Sequence, residues 1–207
     1  MIRKHAFVRR TAGVAAAGAV ALVLAGCGGD DGSGSAGHGG HDATSASSSA
    51  SQGKHNAADV AFAQGMIPHH RQAVEMAGLA PDRARSTQVK RLAAAIEKAQ
   101  DPEIETLSGW LTSWNEDAPA EGAMDHSAHG MAGMMTAEDM SGLENASGKA
   151  FDTAFLEMMI KHHEGAVEMA RTEQADGAFG PATKLAGQIV TAQGAEIEQM
   201  NTLLGRD

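Results

Sequence analysis

The sequence predicts an all-α protein whose folded part is a four-helix bundle of two tandem αα-hairpins. A shift of 93 residues places residues 59–77 on residues 152–170 with 12 identities in 19 positions, and places residues 96–111 on residues 189–204 with seven. A register that holds over two separated blocks indicates a tandem duplication. Aromatic residues make up only 3% of the chain, with no Tyr but 12 Met, which favours helices over strands.

The first repeat predicts two helices. Apolar positions in its first helix recur at spacings of three and four, which places them on one face; they are Phe62, Met66, His69, Ala73 and Met76. The segment from Gly78 to Pro81 is expected to end this helix, which begins or kinks near Pro68. The second helix carries Ile96, Gln100, Ile104, Leu107, Leu111 and Trp114, and Pro102 is expected to kink or restart it.

The second repeat follows the same plan. Its first helix carries Phe155, Met159, His162, Ala166 and Met169, and its second begins at about Pro181. Two hairpins, each with an apolar face that it cannot bury alone, are expected to pack together as a four-helix bundle. The polar, Gly-rich connector between the repeats predicts one short helix near Ala137–Asn145, with Thr136 and Asp139 forming a capping box.

The N-terminal segment predicts export. Residues 1–26 have a basic start and a short apolar run, as a secretion signal does. The segment ends in Leu-Ala-Gly before Cys27, which resembles the bacterial lipobox, so we expect diacylation of Cys27 and attachment to the outer side of the cytoplasmic membrane. Residues 27–54 are expected to be a flexible tether, and residues 55–207 the bundle domain. Within that domain, repeat one is 55–114, the connector 115–147 and repeat two 148–207.

Charge and motifs exclude several classes of protein. The net charge is −10, and four of the 16 basic residues lie in residues 1–26, so the mature part would carry 12 basic and 26 acidic residues. Nucleic acid is therefore not an expected partner. The single Cys excludes a disulfide framework and a thiolate metal cluster. The Glu-x-x-His pairs of di-iron bundles, phosphate loops and nucleophile elbows are missing from the sequence, and an enzyme is not expected.

Paired histidines at matched positions of the two repeats indicate a metal site. His69-His70 and His162-His163 each lie on a helix face that also carries Met. Imidazole and thioether form a borderline-to-soft ligand set, and thioethers select Cu(I). The candidate ligands in the helices are Met66, His69, His70, Met76, Met159, His162, His163 and Met169. Glu103 and Glu196 lie three residues after Gln100 and Gln193, which are also paired in the duplication. We expect both glutamates to be solvated charges beside the core stripe; the alternative is that they orient the histidines.

The connector is a second candidate metal-binding segment. Five Met and two His fall within residues 124–140, which otherwise contain few large aliphatic side chains. Exposed thioethers of this kind are typical of Cu(I) or Ag(I) capture, whereas the alternative is that the connector folds back and its Met side chains cover the bundle end. The candidate ligands are Met124, His126, His129, Met131, Met134 and Met135, with Met140 further along.

The sequence from Glu157 to Ala170, with its His-His-x-x-Ala-x-x-Met-Ala core, resembles the bacterial family called domain of unknown function 305. The resemblance covers residues 55–207 and implies a ferritin-like helical bundle in an exported protein. It also implies Met and His copper ligands at the positions given above. Repeat one departs from repeat two in carrying Gly65 and Pro68 where repeat two has Met158 and Lys161.

These observations predict a membrane-anchored, extracytoplasmic protein that buffers or passes on copper. Cu(I) is favoured, with Ag(I) as a mimic, and Cu(II) is compatible with the imidazoles. The alternative is a structural or interaction bundle whose His and Met residues only fill the core. The sequence leaves open a homodimer, the number of metal sites and the identity of any delivery partner.

Overall fold

The computed structural model of the chain describes residues 53–120 and 132–206, and these form helices joined by short connections. The helices are α1 (Ala57–Gly78), α2 (Ala80–Arg83), α3 (Thr87–Trp114), α4 (Ala137–Asn145), α5 (Gly148–Asp176) and α6 (Gly180–Leu204). Within the described ranges there is no β-strand, only an isolated bridge between Ala84 and Gly148. None of the helices there is both long and apolar enough to cross a membrane.

Side-chain caps fix several helix starts. Asn56 accepts hydrogen bonds from the N–H groups of Ala58 and Asp59, and Asp59 returns the contact by accepting from the Asn56 N–H at 2.6 Å. Thr136 and Asp139 form the same reciprocal pair at the start of α4, so the predicted capping box and short helix are confirmed. Each cap satisfies amides that have no partner inside the helix.

The two prolines do not divide their helices. α1 runs from Ala57 to Gly78 through Pro68, and α3 runs from Thr87 to Trp114 through Pro102. Of the alternatives that the sequence allowed, a start of α1 near Pro68 and a restart of α3 at Pro102 are therefore wrong, whereas a kink at either proline stays a prediction. A proline inside a helix removes one intrahelical hydrogen bond, and packing of the long buried faces on both sides offsets that loss.

The four long helices form the predicted bundle. α1 packs on α3 and α5 packs on α6, so each repeat is an αα-hairpin, and the two hairpins join mainly through α1 and α5. The first apolar cluster combines the C-terminal half of α1 with the N-terminal half of α5 and includes Met76, Ile96, Phe155 and Met159. The second combines the opposite halves and includes Met66, Leu107, Ala166 and Ile189. α1 and α5 are thus antiparallel, and the paired histidines lie between the clusters.

Each repeat caps the second helix of the other. Asp59 of α1 accepts hydrogen bonds from the N–H groups of Ala178 and Phe179, at the start of α6. Its equivalent in α5, Asp152, accepts from the N–H groups of Arg85 and Ser86, at the start of α3. Carboxylates are favoured at helix N-termini, where free amides and the helix dipole meet. The two hairpins are therefore joined by polar contacts as well as by apolar packing.

Glu173 breaks this symmetry, since the equivalent residue in repeat one is Ala80. Its side chain is 1% exposed and lies beside Asp59. Burial raises the pKa of Glu173 to about 8, and the carboxylates of Asp59 and Asp176 act in the same direction. Burial also acts to raise the pKa of Asp59, but the hydrogen bonds that it accepts outweigh burial and hold that pKa below its ordinary value.

Candidate metal centre

The four paired histidines occupy the middle of the bundle. His69 and His70 lie on α1, His162 and His163 lie on α5, and each is at most 1% exposed. They face inward because they lie at the same spacing of three and four residues as the apolar residues before and after them in each helix. The sequence prediction that all four share the core faces of the bundle is confirmed.

His69 and His162 meet across the contact between the two repeats. Their ring centroids are 3.8 Å apart, with 45° between the ring planes. Burial lowers the pKa of His69 to about 3, and the neighbouring His70 adds to this shift. Burial also lowers the pKa of His162 well below its ordinary value, with His69 and His163 acting in the same direction. Both rings are therefore neutral at neutral pH and carry a nitrogen lone pair.

His70 and His163 each bind a glutamate of the partner helix in the same hairpin. His70 Nε2–H donates to Glu103 Oε2 at 2.6 Å, and His163 Nε2–H donates to Glu196 Oε2 at 2.7 Å. The expectation that these glutamates are only solvated flank charges is wrong. Their side chains are 22% and 21% exposed, so each carboxylate contacts solvent on one side and a buried imidazole on the other.

We call the four buried histidines, His69, His70, His162 and His163, the histidine layer. Several buried nitrogen and oxygen atoms in and beside this layer have no hydrogen-bond partner among the described residues. They include the Nδ1 atoms of all four histidines and, for His162, the Nε2 atom as well. The Oε1 atoms of Gln100 and Gln193, one turn before the glutamates, share this property. A buried polar atom without a partner costs about 1–3 kcal/mol. The layer therefore presents unused lone pairs, and neutral imidazole nitrogen is a good copper ligand.

Methionines border the histidines on both sides. Met66, Met76 and Met159 are fully buried, Met169 is partly buried, and all four pack with aliphatic side chains of the two apolar clusters. Helical spacing places Met66 beside His69 and His70, and Met159 beside His162 and His163. In the described part of the chain, no three His, Cys, Asp or Glu side chains are close enough together to hold a metal. A metal in this layer would thus need thioether ligands.

The end of the connector lies against the histidines. His69 Nε2–H donates to the Ala132 carbonyl oxygen at 3.3 Å. Gln72 binds both polar backbone groups of Met135, accepting from its N–H at 2.7 Å and donating to its carbonyl at 3.0 Å. We call residues 132–135 the strap. The sequence analysis did not predict this contact. The available signal was a difference between the repeats, since Gln72 is equivalent to Gly165.

Gly165 makes room for the strap. A Cβ atom on Gly165 would lie 2.0 Å from the Ala132 carbonyl oxygen and 2.8 Å from the Gly133 Cα atom. Gly133 has φ +82°, in the left-handed region that glycine adopts without steric cost. The two equivalent positions, 72 and 165, have thus diverged so that one binds the strap and the other lets its backbone approach α5.

The connector methionines divide into two groups. Met135 and Met140 are 5% and 4% exposed and pack into the first apolar cluster, so the expectation of exposed thioethers is wrong for these two. They fold back because the short helix α4 buries one face against α5. Met134 is partly buried. Four other predicted ligands, and the predicted lipidation site, lie outside the described residues: Met124, His126, His129, Met131 and Cys27.

Comparison with known proteins agrees with this architecture. The family described as domain of unknown function (DUF305) matches residues 59–204. The chain belongs to the DUF305 family. A DUF305 structure from Streptomyces coelicolor, described as secreted, is 35% identical over 72% of this chain and 92% of its own, with a TM-score of 0.65. A DUF305 fragment from Deinococcus radiodurans is 30% identical over 73% and 98%, also with a TM-score of 0.65.

The chain is also similar to the protein CopM. CopM in the Cu(II)-bound form is 34% identical, covers 70% of this chain and 94% of its own, and has a TM-score of 0.62. Structures of CopM in Cu(I)-bound, Ag-bound and apo forms match as well. No curated protein matches the chain by sequence. This DUF305 chain therefore shares its fold with a protein that binds copper and silver ions.

Proposed function

We propose that this protein binds copper outside the cytoplasmic membrane and buffers it or passes it on, with Cu(I) favoured, Ag(I) as a mimic and no catalytic activity. The observation that carries the proposal is the histidine layer. Four buried imidazoles have unpartnered Nδ1 atoms, between apolar clusters that supply thioethers. The likeness to copper-bound and silver-bound CopM supports the same metals.

The chemistry of the layer favours a soft, singly charged ion. Neutral imidazoles and thioethers carry no charge to offset a strongly hydrated divalent ion in an apolar interior, whereas Cu(I) binds such ligands well. We propose that the copper ligands are drawn from the four buried histidines and the four methionines of α1 and α5, namely His69, His70, His162, His163, Met66, Met76, Met159 and Met169. Because no three of the described histidines converge, each ion would take at most two imidazoles together with thioethers. Nitrogen ligands also suit Cu(II), which remains part of the proposal.

The connector would deliver metal to the layer. Arg71 donates hydrogen bonds to the carbonyl groups of Pro119 and Ala120, at 2.9 and 3.0 Å. The strap contacts His69 at Ala132. The described residues on either side of segment 121–131, Ala120 and Ala132, therefore both contact α1. The ligands of that segment, Met124, His126, His129 and Met131, would capture the ion first, with Met134 next along the chain. Met135, which packs in the core, would bind last.

The anchor would hold this chemistry at the membrane surface. In the proposed mature protein, acylated Cys27 is joined to the bundle by the tether of residues 28–54, which allows the domain to sample the space near the bilayer. The expected partners are the lipid bilayer and metal ions, and a partner that donates or accepts copper would have to reach the domain from the same side.

The direct test is titration of the full-length chain with Cu(I) against a competing chelator. We expect stoichiometric uptake and a rise in melting temperature, since a ligand that binds only the folded state stabilises it. Replacing all four histidines of the layer by Gln should reduce uptake to the copper that the connector ligands hold and should abolish the rise in melting temperature, whereas His55→Gln should leave both unchanged. His55 is a matched control because it stacks on Trp114, away from the layer. No uptake by the wild-type chain would refute the proposal.

His162→Leu separates metal binding from core filling. Neither ring nitrogen of His162 has a partner in the described structure, so an apolar side chain of similar size should leave the apo-protein as stable or more stable. We expect Cu(I) affinity to fall while the apo melting temperature holds or rises. A structural bundle would show the same change in apo melting temperature, because that change depends only on the unpartnered ring nitrogens, but its metal uptake would not change.

A further inference from the structure

We propose that Glu103 and Glu196 are positioning residues that make Nδ1 the metal-facing atom of His70 and His163. The inference rests on the proposed function, since it concerns how that site presents its ligands. Each glutamate contacts the Nε2 atom of its histidine, at 2.6 and 2.7 Å. The opposite ring atom, Nδ1, is buried and has no partner among the described residues.

The tautomer follows from the chemistry of the pair. An ionised carboxylate can only accept hydrogen bonds, so the Nε2 atom that it contacts must carry the ring proton. A neutral imidazole has one ring proton, and the lone pair is then on Nδ1. The same reasoning holds for His69, whose Nε2–H donates to the Ala132 carbonyl oxygen. Three of the four histidines therefore offer Nδ1 to the interior.

The His–Glu pair occurs in both halves of the duplication. His70 and Glu103 are 33 residues apart, as are His163 and Glu196, and the two pairs keep nearly the same distance in repeats whose sequences differ at many positions. Both glutamates keep about a fifth of their surface in solvent, which limits the cost of desolvating a carboxylate. The negative charge of the carboxylate raises the basicity of the imidazole, so its Nδ1 lone pair binds a metal cation more strongly.

The test compares two double variants of the full-length chain. Glu103→Gln with Glu196→Gln removes both charges at the histidines. Glu105→Gln with Glu198→Gln is the matched control, since these residues are exposed, lie on the same helices and are equivalent in the duplication. The apo-proteins, labelled with ¹⁵N, are measured by long-range ¹H–¹⁵N NMR, which distinguishes the two neutral tautomers. Each protein is then titrated with Cu(I) against a competing chelator.

We expect His70 and His163 to carry the proton on Nε2 in the wild-type and control proteins. In the Glu103→Gln/Glu196→Gln variant both tautomers should appear, because an amide can donate as well as accept, and Cu(I) affinity should fall by roughly 10- to 100-fold. A proton on Nδ1 in the wild-type chain would overturn the inference whatever the variants do. If the wild-type chain and the Glu103→Gln/Glu196→Gln variant bind Cu(I) equally well, the positioning role of the glutamates is refuted but the proposed copper binding is not. If the wild-type chain takes up no Cu(I), both are refuted.

Discussion

Replacing Gly165 by Ala should displace the strap from the histidine layer. The added methyl group would lie 2.0 Å from the Ala132 carbonyl oxygen, and backbone cannot yield as a flexible side chain can. Lifting the strap breaks three hydrogen bonds, one to His69 and two between Gln72 and Met135. At about 1 kcal/mol each they represent about 3 kcal/mol. Alanine favours the helix over glycine by about 1 kcal/mol, so the expected net loss is about 2 kcal/mol.

Thermal unfolding followed by circular dichroism measures this effect. A loss of about 2 kcal/mol in a domain of this size lowers the melting temperature by about 4–8 °C. The control is Gly194→Ala on α6, where a Cβ atom meets nothing within 4 Å. That variant should gain about 1 kcal/mol from helix propensity alone. If Gly165→Ala stabilises the protein as Gly194→Ala does, the strap does not lie against α5 at Gly165.

Two further substitutions test the polar contacts between the repeats. Glu173 has a folded-state pKa of about 8 against an ordinary value of 4.5, so the stability that it contributes is full below about pH 4.5 and is lost as the pH rises through 8. Glu173→Gln removes this titration, and its melting temperature should exceed that of the wild type above pH 8 but not near pH 4; parallel pH profiles would contradict the assignment. Asp152→Ala leaves the Arg85 and Ser86 amides without their acceptor, and urea unfolding should show a loss of about 1–2 kcal/mol. An unchanged midpoint would mean that water replaces this cap at no cost.

The sequence was sufficient to predict the bundle because its pattern is local and occurs twice. The spacing of Phe62, Met66 and Ala73 recurs at Phe155, Met159 and Ala166, and all six are buried. The prolines were harder to interpret, since propensity alone cannot show whether packing compensates for a missing hydrogen bond. The continuation of the apolar stripe on both sides of Pro68 was the available signal, and it outweighed the proline.

Much of the candidate site depends on contacts between distant segments, which spacing along one helix cannot show. The sequence shows that Glu103 and Glu196 each lie 33 residues after a histidine of the same repeat. That each glutamate binds that histidine is seen only in the folded hairpins. Gly165 gave no signal at all, because a glycine within a helix is ambiguous until its neighbour is known. Asp59 and Asp152 matched in the repeat, yet nothing local indicated that each serves the opposite hairpin.

The exchanged aspartate caps make each hairpin depend on the other. A lone hairpin of this type would lack the aspartate acceptor that the other repeat supplies at the start of its second helix. Two identical copies, related by a twofold axis, would supply each other's missing acceptor. The present chain therefore has the layout that a fused dimer of hairpins would have, although equivalent positions such as Gln72 and Gly165 differ in what they contact.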